Sequence, residues 1–430
     1  MNMGAAAKGF QDIKAEGRGF SHDEPAGSRR REEADLRDSW NSASPRRRLR
    51  FAGAIRKSWR LTHSLPSGEG ERPAVLILAL LTMLLGVPFC HAAEYPAPTE
   101  GDYTIRDFRF RSGETLPELK MHYLRFGSPQ RDENGVVTNA VLILHGTSGS
   151  STQFLRNEFA GELFGPGQLL DTKRYFIIIP DNLGHGQSSK PSDGLRGKFP
   201  RYGYRDMIDA QYLLLKDGLG VNHLRLVMGT SMGGMHTWYW GQAYPDFMDA
   251  LMPLASLPTQ ISGRNRVWRR LIIDAIRTDP EWRAGDYEEQ PRGLRLALEM
   301  SWLMGNNPVQ RLKEAPTLAK ADLVLEQYLR ERLPKTDANN FLYAFEASYD
   351  YDPAPGLPKI KAPLLAVNFA DDLINPPELG VLEREIKRVK RGEAIVIPMS
   401  EETRGHGTHT LAPIWKTHLE KLLKQTAAKP

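Results

Sequence analysis

The stretch LRLVMGTSMGG, residues 224–234, sets Ser231 between Gly229 and Gly233, with a β-type apolar run before it and a helical pattern after it. G-x-S-x-G in a strand–turn–helix setting is an arrangement that presents a serine hydroxyl for nucleophilic attack. Glycines on either side let neighbouring backbone pass close to a sharp turn. The helix that follows directs its N–H groups toward an anion developing at the serine.

A serine of this kind needs a base, and the base needs an acid to orient it. On such a turn the acid and then the base follow the serine along the chain. Downstream, PLLAVNFADDLINPPE places Asp371 and Asp372 just past a strand-like run, and spacing alone does not separate two adjacent carboxylates. Further on, AIVIPMS leads to Arg404-Gly405-His406-Gly407-Thr408-His409. The glycines flanking His406 suggest a turn from which an imidazole reaches the serine, whereas His409 fits the start of the closing helix. An oxyanion also needs two converging N–H donors. Met232, directly after Ser231, is one. The loop His145-Gly146-Thr147-Ser148-Gly149 supplies the other, with Thr147 preferred and Gly146 the alternative; His145 reads as structural.

The elements that must hold these residues are also legible. Two polar–apolar segments, 103–110 and 119–126, read as a hairpin. Short apolar runs follow at 140–144, 175–179, 224–228, 250–254, 363–369 and 394–398. Continuous apolar runs suit strands buried on both faces of a mostly parallel sheet. Helical patterns at 204–219, 232–244, 379–389 and 413–425 alternate with them, which gives an α/β fold with helices on both faces. Between 258 and 355 the rhythm breaks into helical patterns at 267–277, 293–304 and 321–333, the signature of a helical cap insertion. The expected organisation is a first core part at 94–257, the cap at 258–355 and a second core part at 356–430. The loop after the second parallel run, 180–188, lacks the residues of a phosphate cradle and reads as a loop near the pocket. Trp238, Tyr239 and Trp240 read as helix packing.

The net charge of +5 is local. Residues 1–72 carry 15 Lys and Arg against 10 Asp and Glu, so the surplus lies there and the rest of the chain is balanced. A balanced body has no charge surplus to neutralise phosphates, which argues against a nucleic-acid partner. Residues 1–73 read as a disordered basic leader or as the product of an unused upstream start. The run AVLILALLTMLLGVPFC, 74–90, follows basic residues and precedes small residues near Ala92 and Ala93. Residues 74–93 therefore read as a secretory signal peptide, with a membrane anchor as the alternative if it is not cleaved. Cleavage would leave a periplasmic or secreted chain with no stable membrane span. Cys90 is the single cysteine, which excludes an internal disulfide.

These residues together resemble the α/β-hydrolase superfamily, and within it the homoserine O-acetyltransferase group. LGHGQSS, FPRYGYRDMIDAQYLLLKDGLG, GTSMGGMHTWYWGQAYPD, AIRTDPEWRAGDYEEQPRGLRLALE and DANNFLYAFEASYDYD carry the likeness, over roughly residues 100–425. The group's acid lies four positions before a proline. ADDLINP puts Asp372 there, so the resemblance implies Ser231 as nucleophile, Asp372 as acid and His406 as base. It also implies departures. An Asp that follows the histidine and helps hold the substrate's amino group is Gly407 here. An Arg that helps bind the substrate carboxylate falls at Leu298, with Arg295 the neighbouring substitute. Unpaired charges are expensive to desolvate, so an amino-acid acceptor should bind poorly. The first expectation is thus an exported serine acyl hydrolase acting on a small-molecule ester or thioester. The alternatives are an O-acyltransferase of the homoserine O-acetyltransferase type and a non-catalytic binding protein on this scaffold. No metal or bound organic cofactor is implied, and the related enzymes suggest a homodimer through the cap.

Overall fold

Alternate residues of the central strands are all apolar, and this places both strand faces in a core. In the computed structural model, which describes residues 95–427, Leu142 and Leu144 point into one apolar cluster. Val141 and Ile143 point into another, on the opposite face. Burying such a side chain contributes about 1.5–3 kcal/mol. The basic leader, the signal-peptide segment and Cys90 lie outside the described residues. No helix among the described residues is long and apolar enough to cross a membrane.

Eight strands form one sheet: β1 (Thr99–Arg109), β2 (Thr115–Phe126), β3 (Ala140–Leu144), β4 (Phe176–Pro180), β5 (Leu226–Thr230), β6 (Leu251–Leu254), β7 (Leu364–Phe369) and β8 (Gly392–Ile397). Their spatial order is β1-β2-β4-β3-β5-β6-β7-β8. β1 and β2 form the expected antiparallel hairpin, and β2 meets β4 antiparallel. All other pairings are parallel. The six apolar runs thus become β3 to β8. Only β8 departs from full burial, because as an edge strand it has one neighbour.

Helix α1 (Tyr204–Leu213) continues into a wider turn at Leu214–Gly218, and α2 (Met232–Ala243) leaves the end of β5. Five helices lie between β6 and β7: α3 (Gly263–Arg277), α4 (Gly293–Met304), α5 (Pro308–Glu314), α6 (Leu318–Arg332) and α7 (Ala338–Glu346). Four of them, α3, α4, α6 and α7, share an apolar cluster of their own around Ile272, Ile276, Leu294, Leu329, Phe341 and Phe345. The pattern at 379–389 is split: Gly380, at φ +58°, separates the turn Pro377–Leu379 from a short helix, Val381–Glu385, which tightens into a 3-10 turn at Ile386–Arg388. Helix α8 (Ala412–Gln425) closes the chain against the sheet through Trp415, Leu419 and Leu422.

Candidate active site

Ser231 stands between β5 and α2 with φ 55° and ψ −112°. A non-glycine residue held there stores about 1–3 kcal/mol of backbone strain. The surroundings enforce it: the Ser231 N–H donates to the Leu254 carbonyl at 2.9 Å. Both flanking glycines are required by close approach. A Cβ at Gly229 would strike the Gly233 backbone, and one at Gly233 would strike the Leu144 carbonyl.

The loop after β8 brings His406 to this serine. His406 Nε2 lies 2.8 Å from Ser231 Oγ, and His406 Nδ1 lies 2.8 Å from Asp372 Oδ2. Asp372 follows β7 and is fully buried. Burial pushes its carboxyl up, but His406, the Asn375 amide and the Ile374 N–H outweigh that and hold it below the usual range. An ionised carboxylate only accepts, so Nδ1–H of His406 donates to Asp372 and Nε2 is left to accept the Ser231 hydroxyl proton. Asn375 adds its backbone N–H to Asp372 Oδ1 at 3.2 Å and its Nδ2 to Oδ2 at 3.1 Å.

The two adjacent aspartates part company here. Asp371 Oδ2 accepts the Gly405 N–H at 2.9 Å and the Asn307 side-chain amide. Asp371 therefore ties the turn before His406 to the start of α5, while Asp372 alone meets the imidazole. The two histidines separate just as clearly. His409 is buried with its ring 5.1 Å from that of His406, and burial, reinforced by His406, lowers it to about 3. It is a neutral packing neighbour.

The loop 145–149 lies against the serine: a Cβ on Gly146 would sit 3.5 Å from Ser231 Cβ. The Gly146 N–H is taken by Gln153 Oε1 at 3.3 Å. Among the described residues the N–H groups of Thr147 and Met232 have no acceptor, which separates Thr147 from Gly146. His145 is structural. Its Nε2 accepts the Asn182 N–H at 3.0 Å and its Nδ1 donates to the Gly146 carbonyl at 2.8 Å. The loop 180–188 is tied in through Asp181, which accepts the Ser151 N–H at 2.6 Å and the Gln187 N–H at 2.7 Å. Trp238 and Trp240 are fully buried. Their indoles donate to Ser256 and Gln211, so they are packing residues.

Two expectations on the helical segment need correction. Arg295 does not substitute in the site: it lies on the outer face of α4, paired with Glu299 and Glu326 at 2.9 Å each. A guanidinium paired with Glu299 one turn on and with Glu326 of α6, on the solvent face, has no reason to turn inward. Leu298 has no accessible surface at all and packs in the segment's own core, so it lines no cavity. Gly407 is placed as expected beside His406. It opens the turn Gly407–Thr410 and brings no carboxylate. Gln153 and Asn375 were missed, and Asp371 was weighed only as an alternative acid. Gln153 sits in the short turn Ser151–Phe154 and Asn375 in the loop after β7, and only the folded contacts distinguish them from other polar residues there.

Residues 139–401 match the alpha/beta hydrolase fold family. The chain is 30% identical over 373 residues to a homoserine O-acetyltransferase of Geotalea uraniireducens, covering 75% of this chain and 96% of the relative. The chain belongs to the alpha/beta-hydrolase fold family, in its homoserine O-acetyltransferase-like group. A second relative, a probable acyltransferase of Methanothermobacter thermautotrophicus, is 33% identical over 284 residues, 65% of this chain and 85% of the relative. Among solved structures, a homoserine O-acetyltransferase from Bacillus anthracis superposes with a TM-score of 0.66 at 24% identity, over 78% of this chain and 99% of that one. An acetylester hydrolase from Corynebacterium glutamicum gives 0.66 at 22%, over 76% and 96%. At those identities the likeness establishes the α/β-hydrolase fold. With its family, the chain is an enzyme of the hydrolase or acyltransferase kind.

Proposed function

We propose that this protein transfers acyl groups through an ester formed on Ser231, and that the acceptor in the second step is an alcohol. The observation that carries the first part is the continuous Ser231–His406–Asp372 chain of two 2.8 Å contacts. Ser231 Oγ attacks the carbonyl of an ester or thioester while His406 Nε2 takes its proton. The tetrahedral oxyanion rests on the N–H groups of Met232 and Thr147. Collapse expels the leaving group, which receives the proton from His406. An acceptor hydroxyl then gives its proton to His406, attacks the acyl-enzyme and frees Ser231. The helices of residues 258–355 serve as the cap over this site.

The acceptor choice draws on the relatives, which carry the names homoserine O-acetyltransferase and probable acyltransferase. They favour transfer over the hydrolysis that the sequence alone suggested. One observation keeps hydrolysis as a second reading: Gly407 brings no carboxylate, and neither Arg295 nor Leu298 presents a charge to an amino-acid acceptor. Export through residues 74–93 belongs to the same proposal. A protein that stays in the cytoplasm with residues 74–93 intact would contradict it. The test of the acceptor follows the acetyl group released from p-nitrophenyl acetate, with and without homoserine or simple alcohols. An acetylated alcohol as main product supports transfer; free acetate under every condition supports hydrolysis. Ser231→Ala should lower turnover by about 10⁴-fold or more, and substantial residual turnover would contradict the mechanism.

A further inference from the structure

Four polar side chains without accessible surface stand behind the loop that carries Thr147: His145, Asn182, Gln211 and Trp240. His145 follows β3, Asn182 follows β4, Gln211 lies on α1 and Trp240 on α2. Buried polar groups have to find partners, and these four find them in one another. The Trp240 indole donates to Gln211 Oε1 at 2.7 Å. The Gln211 amide nitrogen donates to Asn182 Oδ1, and it also lies 3.3 Å from His236 Nδ1. Asn182 turns its backbone N–H and its Nδ2 to His145 Nε2, at 3.0 and 3.1 Å. His145 Nδ1 ends the line, 2.8 Å from the Gly146 carbonyl oxygen.

The two ends give this line its direction. An indole N–H only donates and a carbonyl oxygen only accepts. With Trp240 donating, the oxygen of the Gln211 amide faces Trp240 and its nitrogen faces Asn182. The Asn182 oxygen then faces Gln211, and its nitrogen faces His145. Nε2 of His145 is therefore bare, and the ring carries its proton on Nδ1, against the Gly146 carbonyl. Burial pulls His145 below the usual imidazole range, so the ring keeps this single proton.

The effect reaches the nucleophile through one peptide plane. The Gly146 carbonyl and the Thr147 N–H belong to the same planar trans unit and point in opposite directions. A bond that pins the carbonyl pins the N–H as well. The Gly146 carbonyl also accepts the Gly149 N–H at 3.0 Å. That bond lies within the loop and moves with it. The His145 bond instead ties the loop to α1 and α2, which are packed in the core.

We infer that His145 is a positioning residue of the acyl-transfer reaction, and that Trp240, Gln211 and Asn182 select the imidazole tautomer that aims the Thr147 N–H at the oxyanion. This rests on the Ser231 reading above and deepens it.

Two substitutions separate the two bonds of the ring. In His145→Asn the side-chain amide still donates from the place of Nδ1. In His145→Gln it extends to the place of Nε2, and the bond to Gly146 is lost. Acylation and deacylation both pass through an oxyanion, so His145→Gln should lower kcat on p-nitrophenyl acetate by about tenfold or more with KM unchanged. His145→Asn should recover most of that loss. Gln211→Met, which keeps the volume, should lower kcat in the same way by a smaller factor. Equal losses in the two His145 variants, a loss carried by KM, or full activity in Gln211→Met would overturn the inference. The tautomer is read without turnover by nitrogen NMR of the whole protein labelled in histidine, with His145 identified by the signals that His145→Asn lacks. A protonated Nδ1 and a bare Nε2 at neutral pH support the inference, and a protonated Nε2 overturns it. Failure of the Ser231 reading shows separately, as turnover that survives Ser231→Ala.

Discussion

The end of the sheet and the helical segment beside it were specified by the sequence to very different depths. Ser231 and Asp372 leave the ends of β5 and β7, strands buried on both faces, and His406 comes from the longer loop after the edge strand β8. In the helical segment, the side chains expected to meet substrate are Leu298, which is core, and Arg295, which is solvent-exposed. A strand buried on both faces leaves a single exit for the chain, so the next loop residue is placed by topology. A helix turns by about 100° per residue, so adjacent positions such as the exposed Leu296 and the buried Ala297 meet different surroundings.

That contrast can be broken by mutation, and the largest effect belongs to the strand ends. Asp372→Asn should keep the fold and lower kcat by about 10⁴-fold, since the wrong imidazole tautomer then faces Ser231. Asp371→Asn should cost about tenfold through a loosened Gly405 turn, because Asp371 acts on the base only through the backbone. A steady-state comparison of the two checks this directly. Equal losses would mean the acid was misassigned.

A smaller effect belongs to Gln153, whose Oε1 accepts the Gly146 N–H and whose Nε2 donates to Thr230 Oγ1 at 3.0 Å. Gln153→Ala should lower kcat by about ten- to a hundredfold with little change in KM, because the Thr147 N–H would no longer be held toward the oxyanion. In the helical segment the expected effects are on stability. Leu298→Ala should destabilise by about 2–5 kcal/mol through the cavity it leaves. Arg295→Ala should stay within about 0.5 kcal/mol. Urea unfolding of both measures the difference.

The histidines sharpen the comparison through pH. His185 and His409 are lowered to about 3 by burial, and burial also lowers His145 and His236. In the unfolded chain these groups take up protons below about pH 6.5, while the folded chain keeps them neutral. The unfolded state then binds more protons, so stability falls as pH drops from about 6.5 toward 3, by about 1.4 kcal/mol per pH unit for each of His185 and His409, with His145 and His236 adding in the same direction. Urea midpoints between pH 8 and 4.5 should show this decline; a flat profile would mean the histidines are charged in the folded protein.

Most of the fold was readable because its carriers are local. Six apolar runs gave six strands within two residues, and G-x-S-x-G with its flanking patterns placed Ser231 at the turn between β5 and α2 where His406 meets it. Chain order and one flanking turn gave His406. The choice between Asp371 and Asp372 was not readable from spacing, because adjacent residues on one loop differ only in where the folded chain points them. Asn375 and Gln153 were invisible for the same reason.

The central claim is a covalent intermediate on Ser231. Quenching the protein with acid during turnover of p-nitrophenyl acetate, digesting it and weighing its peptides tests that directly. The account predicts one acetyl group on the peptide that contains Ser231 and none in the Ser231→Ala variant. Turnover without any acetylated peptide, or with the acetyl group on another residue, would contradict it.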